Sequence, residues 1–106
     1  MELTYDSPKM RTIAADTRAA HRALGPELAE AFFSLVADMR NAMYLGELLD
    51  GPIAIQPKPL LLEFVLAPGS TLEVQPVGTR AIDTTNWCDA HRLKLVRIIR
   101  NGANIL

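Results

Sequence analysis

The chain has 106 residues, 49% of them hydrophobic and 22% charged. This composition predicts one globular domain over residues 1–106 that buries about 65% of its surface. Eleven Lys and Arg against twelve Asp and Glu give a formal charge of −1, which argues against a dedicated nucleic-acid binder, because such proteins usually carry a positive excess. The acidic N-terminus, the absence of a long apolar run and the single cysteine predict a cytoplasmic protein without a membrane segment.

The first half of the chain predicts one strand and two helices. Ser7 and Pro8 begin the first helix, since a serine hydroxyl accepts a bond from a first-turn amide and proline needs no donor there. Gly25 ends that helix and Pro26 begins the next, so the short link predicts an antiparallel helical hairpin. The predicted elements are a strand over Glu2–Tyr5, a helix over residues 7–24 and a helix over residues 26–43.

The second half predicts strands. Three prolines, Pro52, Pro57 and Pro59, exclude a helix and favour an extended passage or a sheet edge. Strands follow over residues 60–67, 71–77 and 93–99, and a polar loop with one helical turn fills residues 78–91. We therefore expect an α+β fold in the order β-α-α-β-β-β, with the helical hairpin packed on a largely antiparallel sheet.

The histidines and the cysteine predict neither a metal site nor a cofactor. His21 and His91 are far apart in sequence, and Cys88 with His91 supplies only two ligands. A nucleophilic Cys88–His91 pair oriented by Asp83 or Asp89 is conceivable, but a lone cysteine is more often a small buried hydrophobe. We favour that structural interpretation.

The positive charge is unevenly distributed, with a formal charge of −3 over residues 1–50 and +2 over residues 51–106. On a continuous first helix, Arg11, Arg18 and Arg22 would lie within about 20° of one line. A solvated helix face explains them, and the sharper alternative is a surface for RNA or an acidic partner. The last strand adds Arg92, Lys94, Arg97 and Arg100.

Several segments carry a family pattern: Leu3-Thr4-Tyr5, Ser7, and residues 23–29, 37–42, 45–52, 83–87 and 93–99. Together they resemble the HigB branch of the RelE/ParE toxin superfamily. The resemblance spans almost the whole chain, and it is most specific in the first 52 residues and weak over residues 53–77. It implies a RelE-like version of the α+β fold derived above.

The resemblance also implies a function. Members of this superfamily are toxins of type II toxin–antitoxin systems that pair with a helix-turn-helix antitoxin and cut mRNA on the ribosome. They use basic side chains, typically an arginine on the third strand and a Tyr or His near the C-terminus. Thr71 stands at the first position and Arg100-Asn101-Gly102 at the second, while Glu63 and Glu73 add negative charge. We expect a toxin-family component whose mRNA cleavage is weak or lost.

Two alternatives stay open at this point. One is an active ribosome-dependent ribonuclease that uses arginines at other positions. The other is a small non-enzymatic protein-interaction module with the same fold. A mean hydropathy of +0.11 favours a partner or a homodimer in any of these cases. The candidate catalytic residues are Arg80, Arg97 and Arg100, with Arg92 a further candidate in the active alternative, and the candidate RNA- or partner-binding residues are Arg11, Arg18, Arg22, Arg92 and Lys94.

Overall fold

The computed structural model describes residues 1–48, 50–78 and 81–106, and within them it has three α-helices and a mixed six-stranded sheet. The predicted α+β class is confirmed. The helices are α1 (Pro8–Ala15), α2 (Thr17–Leu24) and α3 (Pro26–Asn41). The strands are β1 (Glu2–Tyr5), β2 (Ala54–Pro57), β3 (Leu60–Ala67), β4 (Ser70–Pro76), β5 (Arg92–Arg100) and β6 (Ala103–Asn104).

The strands lie in the order β1-β5-β4-β3-β2, and β6 pairs with the end of β5. β1 is parallel to β5, whereas the other pairs are antiparallel. The predicted hairpin is confirmed as β3 and β4, joined at Pro68 and Gly69. The prolines of residues 52–59 lie in or beside β2, which is an edge strand. Proline suits an edge strand because it has no backbone N–H to donate to a neighbouring strand. The structure adds β2 as a separate strand and the short β6, neither of which is in the predicted order of elements.

The predicted helix over residues 7–24 is wrong as a continuous helix, because Asp16 divides it. The backbone of Asp16 is extended, with φ −124° and ψ 111°. Its Oδ1 accepts hydrogen bonds from the backbone N–H groups of Arg18 and Ala19 at 2.9 and 3.3 Å, so it serves as the N-cap of α2. As a result α1 contacts β1 and β5, whereas α3 contacts β3, and three helices replace the predicted pair.

The core lies between the helices and one face of the sheet. Pro8 and Pro26 sit at the starts of α1 and α3, as their missing N–H groups favour. The largest side chains with almost no exposure come from both layers: Met10, Phe32, Val36 and Met39 from the helices, and Leu62, Leu72, Val74, Leu93, Leu95 and Ile98 from the strands. Within each strand these residues alternate with more exposed ones, except in β5.

A bulge in β5 decides which of its side chains enter the core. Val74 is paired with Leu95, but the preceding residue, Glu73, is paired with Arg97, so Val96 is an extra residue in the ladder. The extra residue reverses the alternation of side chains. Ile98 therefore points into the core with no exposed surface, and Arg97 points to the opposite face beside Glu73.

We predict that Asp16→Ala lowers the free energy of unfolding by about 1 kcal/mol, because two amides at the start of α2 lose their acceptor. The melting temperature should fall by roughly 5 °C for a domain of this size. Thermal and urea unfolding measure both quantities. Asp16→Asn is the matched control, since an asparagine retains a capping oxygen; equal losses in the two variants would contradict the capping role.

Candidate functional site on the outer face of the sheet

The outer face, defined as the sheet surface that points away from the helices, carries a row of three charged side chains. Glu63 on β3 is directly opposite Glu73 on β4, and Glu73 is directly opposite Arg97 on β5. Side chains at directly opposite positions of antiparallel strands lie close together, and two like charges there repel. The row therefore joins two carboxylates to one guanidinium, with a formal charge of −1.

Glu73 and Arg97 form an ion pair that is partly removed from water. Glu73 Oε1 lies 2.8 Å from Arg97 Nε, and the two side chains are 8% and 42% exposed. Both atoms are buried, yet the N–H bond does not point at the carboxylate oxygen well enough for a hydrogen bond. The attraction is therefore mainly Coulombic. Such a pair adds little net stability, but removing either partner leaves the other charge poorly solvated.

Thr71 supports the second carboxylate of the row. Its hydroxyl donates a hydrogen bond to Glu63 Oε1 at 3.3 Å. Thr71 is the residue that stands where the toxin resemblance places an arginine. At this position the chain thus has a neutral donor to a carboxylate, which cannot stabilise a negatively charged phosphate as an arginine does.

Arg100, a predicted catalytic residue, lies on the other side of the sheet. Its Nη2 donates a hydrogen bond to the backbone carbonyl of Leu24 at 2.8 Å. Leu24 ends α2, where carbonyl groups have no partner within the helix. Arg100 therefore connects β5 to the end of α2, and it does not converge with Arg97 on one surface.

The other cations of β5 pair with acidic residues near β1. Arg92 Nε lies 3.1 Å from a Glu2 carboxylate oxygen, and Lys94 Nζ lies 3.8 Å from Asp6 Oδ1. All four side chains are at least one-third exposed, so each pair contributes about 0–1 kcal/mol. These cations are balanced within the chain.

The arginines of the first helices are exposed and belong to two separate helices. Arg11 belongs to α1, whereas Arg18 and Arg22 belong to α2. Because Asp16 interrupts the helix, the continuous helix from which their alignment is predicted is not formed. Their role in binding RNA or a partner stays a prediction. Arg80 lies outside the described residues.

Cys88 is exposed, so the expectation that it is a small buried hydrophobe is wrong. It belongs to a short 3-10 turn, Trp87–Asp89, that packs on Gly46. A Cβ atom on Gly46 would lie 2.9 Å from Cys88 Cβ, so this contact requires glycine. In the described ranges no hydrogen bond joins Cys88 to His91, and no group of three or more His, Cys, Asp or Glu side chains could hold a metal ion.

Asp83 organises the loop before this turn and does not orient His91. Its Oδ1 accepts hydrogen bonds from the Thr85 hydroxyl at 2.6 Å and the Thr85 N–H at 2.8 Å. The Thr85 hydroxyl, followed by the N–H, lowers the pKa of Asp83. Asn86 closes the loop, since its Oδ1 accepts from the Asp83 N–H and its Nδ2 donates to the Ala81 carbonyl.

No family model matches the chain, and no curated protein or solved structure matches it. Within the described residues no helix is long and apolar enough to cross a membrane. The toxin-family resemblance therefore depends on the sequence segments named above.

We predict that Arg97→Met lowers the free energy of unfolding by about 2 kcal/mol, because Glu73 keeps a charge that has lost its counter-ion. The double variant Glu73→Met, Arg97→Met should recover most of that loss, since no charge then remains in the buried position. A double-mutant cycle from urea unfolding measures the coupling. Arg92→Met is the control and should cost less than about 0.5 kcal/mol. Strictly additive effects of Glu73→Met and Arg97→Met would contradict the coupling.

The lowered pKa of Asp83 predicts a pH dependence of its loop. A carboxyl group whose pKa is lower in the folded state stabilises that state above its unfolded pKa, about 3.9, and the contribution is lost as the pH falls through the folded pKa. The NMR shift of the Thr85 amide, followed from pH 6 to pH 2, should therefore titrate with a midpoint below about 3.9. Thr85→Val removes the hydroxyl donor and should raise that midpoint; an unchanged midpoint would contradict the assigned cause.

Proposed function

We propose that the chain is the toxin-family component of a bacterial toxin–antitoxin pair, RelE/HigB-like, in which ribosome-dependent mRNA cleavage is weak or lost and partner binding persists. The family assignment is supported by the resemblance in residues 3–52 and by the placement of helices on one face of a mixed sheet. The loss of cleavage is supported by one observation, the Glu63–Glu73–Arg97 row.

Cleavage of RNA by its own 2′-hydroxyl needs a base for that hydroxyl, positive charge for the phosphate and an acid for the leaving oxygen. The Glu63–Glu73–Arg97 row offers little free positive charge for a phosphate. Arg97 is neutralised by Glu73 at 2.8 Å, and Glu63 adds a negative charge beside them. A phosphate group approaching this row would meet net repulsion, because the Coulomb term between like charges is unfavourable at contact distances.

Arg97 also cannot leave Glu73 to bind a phosphate without a cost in free energy. Moving the guanidinium toward RNA would leave Glu73, 8% exposed, without its counter-ion. Removing one partner of a buried pair costs about 3–5 kcal/mol, and the partial exposure of Arg97 reduces that figure. The stable arrangement of the row therefore favours the internal ion pair over RNA binding.

Partner binding is supported by the exposed apolar side chains near the end of α3 and the start of β2. Met43 and Ile53 are 65% and 61% exposed, and Tyr44 and Val65 are about half exposed. Exposed apolar clusters mark binding surfaces in soluble proteins. A helix-turn-helix antitoxin is the partner that the resemblance implies, with mRNA and the ribosome as further partners if cleavage persists.

The same exposed cluster favours a second candidate function, a small non-enzymatic interaction module without a toxin role. The toxin-family component and the interaction module differ in the partner that they bind. Co-expression with the product of an adjacent helix-turn-helix gene should raise the solubility or melting temperature of a toxin-family protein. An unchanged solubility and melting temperature would favour the interaction module.

Induced expression in bacteria tests the loss of cleavage. We expect cells that produce the protein to grow at the rate of empty-vector cells, and primer extension on ribosome-bound mRNA to show no new 5′ ends. Arg100→Gln and the charge-neutral pair Glu73→Gln, Arg97→Gln should change neither readout. The proposal would be contradicted if expression arrested growth and produced new mRNA ends, and if the pair Glu73→Gln, Arg97→Gln relieved both effects without changing the melting temperature.

A further inference from the structure

A cleft of about 670 Å³ lies where β2 begins, between β3 and the C-terminal half of α3. Its volume is in the range of ligand and peptide sites. The walls are largely apolar and come from three parts of the chain: α3, the segment before β2, and β3. The apolar lining residues are Leu35, Leu48, Ile53, Phe64, Val65 and Leu66.

One wall of the cleft is an uncovered strand edge. β2 pairs with residues 60–63 of β3 and goes no further, and the N–H of Ile53 donates to the Glu63 carbonyl at 2.8 Å as the last contact. In the described part of the chain no strand pairs with this edge of β3 over residues 64–67. Because the Glu63 carbonyl faces β2, the alternation of an antiparallel ladder turns the backbone of Val65 toward the cleft. The regular alternation ends there, since β3 has a bulge between Val65 and Ala67 in its pairing with β4.

The rim of the cleft is acidic. Asp38, Glu47 and Asp50 line it, and no Lys, Arg or His does so among the described residues. Asp38 lies in the last turn of α3, where a negative charge opposes the helix dipole and costs stability. The three carboxylates make the rim complementary in charge to a positively charged occupant.

We propose that this cleft binds an extended, basic segment of a partner protein, which pairs with β3 at residues 64–67 as an added strand. Its apolar side chains would contact Ile53 and Leu66, and its Lys or Arg side chains would face Asp38 and Asp50. Strand addition of this kind combines main-chain hydrogen bonds with alternating side-chain contacts. The inference rests on the proposed function only in requiring a protein partner.

Within residues 1–48, 50–78 and 81–106, a second copy of the chain provides no such segment. Its cations lie mostly in α1, α2 and β5. The first two elements are helical, and β5 is paired on both sides within the sheet. The occupant is therefore a different protein, with a stretch of about four residues at 3.3 Å each along the open edge.

Fluorescence anisotropy with synthetic peptides tests the proposal on the full chain. The probe is a labelled eight-residue peptide that alternates Lys and Val. Three comparison peptides are used. The first has Glu in place of Lys, the second has methylated backbone nitrogens along one edge, and the third has the same residues at helical spacing. We expect the Lys–Val probe to bind at least tenfold more tightly than each of the three.

Matched variants locate the binding site. Asp38→Asn should weaken binding of the probe about threefold to tenfold while slightly raising the melting temperature, so weaker binding cannot be attributed to unfolding. Glu30→Gln removes the same charge from α3 outside the cleft and should leave affinity unchanged. Ile53→Ser should weaken binding, whereas Val77→Ser, an exposed apolar residue outside the cleft lining, should not.

Equal affinity for the Lys and Glu peptides would overturn the assigned charge, and tighter binding of the helical peptide would overturn the strand-addition mode. Self-association of the chain that Asp38→Asn abolishes would instead assign the cleft to a second copy. The growth assay measures cleavage without involving the cleft, so failure of one proposal leaves the other separately decided.

Discussion

The bulge at Val96 is the constraint on which the rest of the structure depends. β5 lies between β1 and β4, so its side chains form the centre of both sheet faces. With strict alternation, Arg97 and Ile99 would face the helices and Ile98 would face outward. The extra residue instead buries Ile98 completely and places Arg97 beside Glu73 on the outer face.

The three-residue spacing between Arg97 and Arg100 places their side chains on opposite faces of the sheet, and the bulge decides which face each one takes. Arg97 is directed to the outer face and pairs with Glu73, whereas Arg100 is directed to the helices and donates to Leu24. Arg97 thereby neutralises a buried carboxylate, and Arg100 supplies a donor to a helix-terminal carbonyl. The four cations of β5 thus all have partners within the molecule.

Much of the architecture could be predicted from local sequence signals. Ser7, Pro8 and Gly25 mark helix ends through caps and fixed backbone angles, and the alternation around Pro68 and Gly69 marks the hairpin. The division at Asp16 is hard to predict, because the apolar residues keep their helical spacing on both sides of it. The local signal for the division is Asp16 followed by Thr17, since aspartate is a preferred N-cap residue.

The candidate site was less predictable, because it depends on pairing between strands. The sequence identifies Glu63, Glu73 and Arg97 as charged residues of predicted strands. It does not contain the register that joins Arg97 to Glu73, since a one-residue bulge changes the face of every later side chain. The acidic cleft was missed for a similar reason, as Asp38 and Leu66 are 28 positions apart in the sequence.

Binding of a labelled single-stranded RNA oligonucleotide as a function of salt tests the central claim, that the charges of the outer face satisfy one another. We predict that the charge-neutral pair Glu73→Gln, Arg97→Gln leaves RNA affinity and its salt dependence unchanged, because this arginine contacts no phosphate. A weaker affinity in the pair, together with a loss of about one unit in the slope of log affinity against log salt, would contradict this claim.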